Sequence, residues 1–318
     1  MMPMLLAKPG YQKLVALNDC PIYLQGTFDG FPRQEVKPEP FVQGGPRTNI
    51  WSIQEKVVRG SLMTPMYIDS SGNIDEAIKE LLLCAEYPMR ELKISTNYVM
   101  GTSNITEFQS GVPDAKRGFG KYLRMAFVNC GITQLTMEVP HKSPVIIRAD
   151  FVGFVAPNES AVVPDPSASG MMRRNLTFAD CDLYLESPES EWDTTRSFEV
   201  KIVNDLKPFL AVRSYISTTD HPEGIAMNTS DIWATIKQSV DRANIYGEID
   251  SMISGGYAGL NMIFDFGGVV KIEFPHCVME PTEQPIEGTT LLERTTKVLC
   301  VFGSPKLDET EGHLISFP

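Results

Sequence analysis

The sequence predicts a mainly β protein made of two tandem β-sandwich or barrel units, each flanked by one helix. Three observations carry that expectation. Apolar and polar residues alternate along many short runs, the signature of half-buried antiparallel strands. A short pattern also recurs at a fixed distance. In residues 122–130 (YLRMAFVNC) and 269–277 (VVKIEFPHC), Phe127 matches Phe274, Cys130 matches Cys277, Arg124 matches Lys271 and Met125 matches Ile272, all 147 positions apart. Phe151-Val152-Gly153 answers Val301-Phe302-Gly303 at an offset of 150. Fixed-offset self-similarity marks a duplicated structural unit. Finally, 318 residues are enough for two domains.

The chain divides accordingly. Residues 1–49 are punctuated by Pro32, Pro38, Pro40, Gly44, Gly45 and Pro46, and read as an extended arm lying on a neighbouring surface, with one short strand near Ile22–Leu24. The first β unit spans 50–155. Strands surround Gly60, and a helix follows from Asn73, with Asn73 as N-cap and Glu76 completing a capping box. Ile74, Ile78, Leu81 and Leu82 form its apolar stripe, and Pro88 stops it. Leu92–Met100, Thr133–Val139 and Val145–Gly153 alternate as strands. Residues 101–120 read as a long polar loop, a length usually found in functional or disordered segments.

Residues 156–172 are a linker, and 173–303 repeat the order of the first unit. Cys181–Leu185 and Phe198–Ile202 alternate. Ser230-Asp231 caps an expected second helix carrying Ile232, Ile236, Val240 and Ala243 and ending near Gly247. Leu260–Phe266 and Val270–Phe274 alternate about a Gly267-Gly268 hairpin turn. Val298, Cys300 and Phe302 close the unit, and 304–318 are a polar, acidic tail ending in Ile315–Phe317.

Composition narrows the function. A net charge of −12 and a pI near 4.9 argue against a protein that grips nucleic acid. They are compatible with one that lets it pass, since an acidic wall repels phosphate. No run approaches the ~20 apolar residues of a membrane span, and Met1–Lys8 lacks the pattern of a signal peptide. The six cysteines have no C-x-x-C spacing and read as reduced thiols in a protein made in a cytoplasm.

No catalytic, cofactor-binding or metal-binding residue is assigned. Asp265-Phe266-Gly267 spells the kinase metal-binding triplet but lacks every companion motif, so it reads as a turn. His276-Cys277 has no further ligand at metal spacing, and His141, His221 and His313 are isolated. The alternatives to a structural role are a hydrolase assembled from Asp180, Asp182, Glu186 and Asp193, and a glycan-binding β-sandwich. The latter would expose aromatic loop residues, for which only Trp192 is suitably placed.

The segments Gly60–Met66, Phe127–Thr133, Arg148–Phe154 and Ile202–Pro208, with the strand, helix, long loop and strand order around them, resemble the tail tube proteins of long-tailed bacteriophages. That fold is shared with contractile injection systems. The resemblance spans roughly residues 50–303 and rests on turn and strand patterns. It implies tandem tail-tube-type domains whose inner sheets join, subunit to subunit, into a barrel around a lumen. The duplication implies a trimeric ring with pseudo-six-fold symmetry, with a hexamer as second choice, stacked into a tube in the virion tail. The resemblance further implies assembly in the host cytoplasm and contact with a tape measure protein and with terminator and hub proteins. DNA would pass without specific binding. A hub or distal tail ring protein is the nearest alternative.

Overall fold

Side-chain alternation directs most of this chain into antiparallel strands. The computed structural model describes residues 13–22, 29–38, 51–100, 121–155, 173–186, 189–191, 195–209, 224–241, 258–280, 291–300 and 314–318. The expected loop 101–120, the linker 156–172, Trp192, Asp193, His221, His313 and Gly303 lie outside the described residues.

The first half contains β1 (Lys13–Leu17), β2 (Cys20–Ile22), β3 (Asp29–Pro38), β4 (Trp51–Pro65), β5 (Tyr67–Ile68), α1 (Glu76–Glu86), β6 (Leu92–Met100), β7 (Lys121–Val139) and β8 (Ile146–Val155). Next come β9 (Arg174–Asn175), β10 (Cys181–Glu186), β11 (Glu189–Glu191), β12 (Thr195–Phe209) and β13 (Gly224–Asp241). The rest are β14 (Ala258–Phe266), β15 (Val270–Glu280), β16 (Leu291–Cys300) and β17 (Ile315–Ser316). All but β5 and β9 belong to one sheet.

The pairing pattern occurs twice. β3 and β4 pair, β6, β7 and β8 meander, and β8 returns to β4, giving the order β3-β4-β8-β7-β6. β12 and β13 pair, β14, β15 and β16 meander, and β16 returns to β13, giving β12-β13-β16-β15-β14. Phe127 and Phe274 occupy the middle strands, β7 and β15, and both are fully buried. The two groups are joined where Phe198–Val203 of β12 pair with Gln134–Val139 of β7. One apolar core runs through both, from Val15 and Leu62 to Phe264 and Val298.

The helix α1 forms where its stripe predicts, burying Ala77, Ile78, Leu81, Leu82 and Ala85. It packs against β1, β2, β7, β12 and β17. Its cap lies two residues beyond the expected Asn73. Asp75 is the N-cap, its Oδ1 accepting from Ala77 N–H at 3.1 Å. Asn73 instead closes a turn in which the Asp69 carboxylate accepts from the Ser71 and Asn73 N–H groups at 2.8 and 3.0 Å. Asp75 N–H, the donor an Asn73 cap would have taken, instead donates to Tyr67 O at 3.5 Å, and Asn73 O accepts from Asp69 N–H at 2.9 Å.

Further expectations need correction. The two strands expected around Gly60 are one, β4, which pairs through Gly60 with β3 and β8. The expected second helix is a strand, β13. Ile232 and Ile236 stand four apart, which suits one helix face, but Ile232, Ala234 and Ile236 are all buried and so follow a period of two. Thr229, Thr235 and Val240 add the β-branched content that favours an extended chain.

The expected arm is also partly sheet. β1 and β2 form a hairpin on β6, burying Val15, Ala16, Leu17 and Ile22, and β3 pairs with β4. The hairpin turns at Asn18 and Asp19, with φ of 45° and 66°. Two successive positive φ values at the tip are what a type I′ turn needs, and Asn and Asp tolerate them.

Finally, Phe127–Thr133 and Ile202–Pro208, which the resemblance reads as strands ending in Asn-containing turns, lie within continuous strands. β7 runs 19 residues through the Phe-Val-Asn-Cys-Gly-Ile segment, with Asn129 at φ 47° and register shifts at Val128/Gly131 and Ile132/Gln134. β12 passes Asn204 with a register shift between Asn204 and Leu206. These are β-bulges, which bend a strand without stopping it.

The bulge at Asn204 ties the halves together. Its Nδ2 donates to the carbonyl oxygens of Ala85 and Ile132, both at 3.0 Å, and its Oδ1 accepts from Ser230 Oγ at 2.7 Å. Ala85 lies in the last turn of α1, where carbonyls have no intrahelical partner. Ile132 sits at the bulge of β7, where the ladder is broken. One buried amide therefore satisfies a helix end and a strand defect together. Two further segments bridge the halves. Leu176 N–H donates to Met66 O at 2.9 Å, and Val145 N–H donates to Leu176 O at 2.8 Å. At the C-terminal end, the Glu86 carboxylate accepts from the N–H groups of Leu314 and Ile315, holding β17 against β15.

Replacing Asn204 with Ala is expected to lower stability by about 2–4 kcal/mol, because two buried carbonyls lose their donor. Urea unfolding would measure it. A loss under about 0.5 kcal/mol, the scale of an ordinary surface substitution, would contradict the assigned role.

Candidate functional site

The extended surface that this topology builds is the face of the sheet turned away from the core. Across β4, β8, β7, β12, β13 and β16 the strands lie side by side in continuous register. Ile147, Met137, Val200, Ala234 and Val298 point to the core and are wholly buried. Their neighbours in sequence therefore point the other way. In one row Met63, Arg148, Thr136, Lys201, Trp233 and Leu299 are opposed in turn. In the next stand Ile146, Glu138, Glu199, Thr235 and Lys297, and in a third Asp150, Gln134, Val203 and Asp231.

Charges of both signs interleave on this face. Arg148 Nε lies 3.0 Å from Glu138 Oε1, and Lys297 Nζ lies 3.5 Å from Glu280 Oε2. Lys201 and Lys297 approach the Trp233 ring with their Nζ atoms 5.6 and 5.7 Å from its centroid. Both distances are within cation–π range. Partial burial raises the pKa of Asp150, and the Lys201 charge partly offsets that. Among these residues Arg148, Lys201 and Lys297 face Glu138, Glu199, Asp150, Asp231 and Glu280, a small acidic excess beside the chain's net charge of −12. The far end of the face is apolar, where Val152 and Phe154 pack with Leu206 and Ile225 of the β12–β13 hairpin.

Among the described residues weighed for chemistry, Asp180 and Asp265 are held by local partners. Asp180 closes a capping box. Its Oδ2 accepts from Thr177 N–H and Oγ1, both at 2.8 Å, and its Oδ1 pairs with Arg174 at 2.8 Å. Asp182 is exposed on β10, opposite Asp265 on β14. Asp265 in turn pairs with Lys271 at 3.5 Å and accepts from Gly268 N–H at 2.7 Å. The Asp-Phe-Gly triplet is thus a hairpin end, with Phe266 in the core and Gly267 and Gly268 at φ 66° and 70°. His141 stacks edge-on to Phe178 at 5.2 Å.

The cysteines are poor nucleophiles. Burial pushes the thiols of Cys84 and Cys181 up to about 12 and that of Cys277 up to about 11. Cys130 moves in the same direction for the same reason. A thiol attacks as its thiolate, so these four react slowly near neutrality and faster as pH rises. Among the described residues, no group of three or more His, Cys, Asp or Glu could hold a metal ion, and no helix is long and apolar enough to cross a membrane.

Sequence reasoning found the alternating strands but missed that β12 completes the face begun by β8 and β7. The two contributing runs lie about sixty residues apart, and nothing local in either names the other. Wherever a carboxylate's folded pKa is depressed, stability is present above the unfolded pKa and lost as pH falls through the folded one. For Asp180, partial burial opposes ionisation, but the Thr177 hydrogen bonds and Arg174 outweigh it and leave the pKa lowered from 3.8. Asp180→Asn should therefore be less stable than the parent chain at pH 7, with the difference shrinking below pH 3.8. Denaturant midpoints across pH 2–7 would check this, and a difference that grew on acidification would contradict it.

No protein-family model matches this chain, and no curated protein matches it.

Proposed function

We propose that this chain is a structural subunit of a tail-tube-type assembly, forming stacked rings through whose lumen phage DNA passes, with no catalysis. The carrying observation is the doubled strand order β3-β4-β8-β7-β6 and β12-β13-β16-β15-β14, joined where β12 pairs with Gln134–Val139 of β7, beyond the stretch of β7 that pairs with β6. That arrangement supports a chain holding two like units of a ring. Three such chains would give pseudo-six-fold symmetry. The same join then needs to recur between chains, which would hide strand edges that otherwise invite uncontrolled pairing. Repeated head-to-tail contacts would extend rings into a tube.

In this reading the open face of β4, β8, β7, β12, β13 and β16 lines the lumen. Its interleaved charges support passage of a polyanion, because a wall without a dominant basic stripe gives DNA no additive phosphate grip. The acids expected to give the chain its DNA-repelling character would then lie mainly elsewhere. The expected 101–120 loop would be the natural element to reach an adjacent ring, and assembly in the host cytoplasm before incorporation into the virion fits six cysteines with no disulfide among them. Tape measure, terminator and hub proteins would be the partners.

Electron microscopy of the purified protein, averaged over end-on views, tests the proposal together with native mass spectrometry. Rings with a central hole are expected. Three chains of 35.4 kDa make a ring of about 106 kDa, whereas six would double it and place one unit per chain. A protein that stays monomeric at high concentration and with added tail components would contradict the proposal.

A further inference from the structure

Cys277 of β15 and Cys300 of β16 are directly opposed Cα partners in an antiparallel pair. We infer that these two thiols form a cross-strand disulfide when the protein meets an oxidising milieu, making a covalent latch between β15 and β16. The inference follows from register. Directly opposed residues in antiparallel strands have Cα atoms about 4.5–5.5 Å apart. Disulfides use Cα separations of about 4.4–6.8 Å. Opposed side chains also share a face. Cys277 is a member of the apolar core and Cys300 packs against it.

The first half supplies a second line of support. Cys130 corresponds to Cys277, and in the pairing of the strands Gly153, whose match by sequence offset is Gly303, stands across from Cys130 where Cys300 stands across from Cys277. A Cβ built on Gly153 would lie 2.4 Å from Cys130 Sγ. At that place in the fold the strand sulfur points straight at the opposed position. The first half clears the contact with a glycine, whereas the second half puts another sulfur there.

No disulfide joins the six cysteines in the structure, so the latch starts open. Closing it needs an oxidant, here a small disulfide such as oxidised glutathione. Cys300 is partly exposed and Cys277 is not, which sets the order. The Cys300 thiolate attacks the glutathione disulfide, releasing one glutathione thiolate and leaving a mixed disulfide. The Cys277 thiolate then attacks the Cys300 sulfur, forming the protein S–S bond and expelling the second glutathione. Two S–H bonds are lost, one S–S bond forms, and one oxidised glutathione becomes two reduced molecules. Burial keeps Cys277 protonated near neutrality, so the second step should be slow and should quicken as pH rises. The chemistry stands on register alone. Its use, hardening a particle that is built reduced and released into an oxidising medium, rests on the tube reading.

The test treats the full-length protein with oxidised glutathione at pH 8, blocks remaining thiols with iodoacetamide under denaturing conditions, and maps peptides by mass. A peptide pair joined through Cys277 and Cys300 is expected, with titratable thiols falling from six to four. The melting temperature should rise by several degrees and return on reduction. Cys300→Ser should abolish both changes, and its partly exposed site keeps that variant foldable. Full alkylation of both residues after prolonged oxidation, or Cys300 joined only to glutathione, would overturn the inference. Because a monomer gives the same readout, failure here is separable from failure of ring assembly.

Discussion

The join between β7 and β12 is the interaction on which the rest of the structure depends. Without the ladder of Gln134–Val139 on Phe198–Val203 the chain would be two sheets, each with a long bare edge. With it, the core passes without a break from the α1 side to the β14–β15 hairpin. The join is held by more than backbone. Asn204 lies just beyond the last paired residue, and its amide reaches α1 and β7 together. A buried amide with donor and acceptor both used specifies one arrangement of its neighbours, since any slip leaves polar groups unpaired. That is why a polar residue at 2 % exposure belongs here.

The same join gives the open face its extent. Rows of opposed residues cross it from Met63 on β4 to Leu299 on β16. Where the face is polar, it carries both acids and bases. Where it is apolar, the β12–β13 hairpin covers it, and space is tight. A Cβ on Gly131 would lie 2.6 Å from Leu206 Cδ1. Glycine at that point lets the hairpin run close beside β7, so the bulges and the glycine serve one geometric end.

Much of this was legible in the sequence because it depends on local periodicity. The α1 stripe, the alternation of Leu260–Phe266 and Val270–Phe274, and the Gly267-Gly268 turn are each set by residues close together. The offset between Phe127 and Phe274 fell on corresponding middle strands of the two halves. What was not legible has a common cause. Ile232 and Ile236 serve a helix face and a strand face equally, and only the burial of Ala234 between them decides for the strand. Asn18-Asp19 is a hairpin turn only because Val15 and Leu17 find β6 and the core to cover them. Asn204 reads as a turn residue until its partners, 119 and 72 positions away, are known.

Amide hydrogen exchange along β12 tests the account most directly. Residues 198–203 pair with β13 on one side and β7 on the other, so their N–H groups alternate between the two ladders. The account predicts that both sets are protected to the same degree, since the join opens only when the core does. If the set facing β7 exchanges as a frayed edge while the set facing β13 stays protected, the halves are separate sheets and the account is wrong.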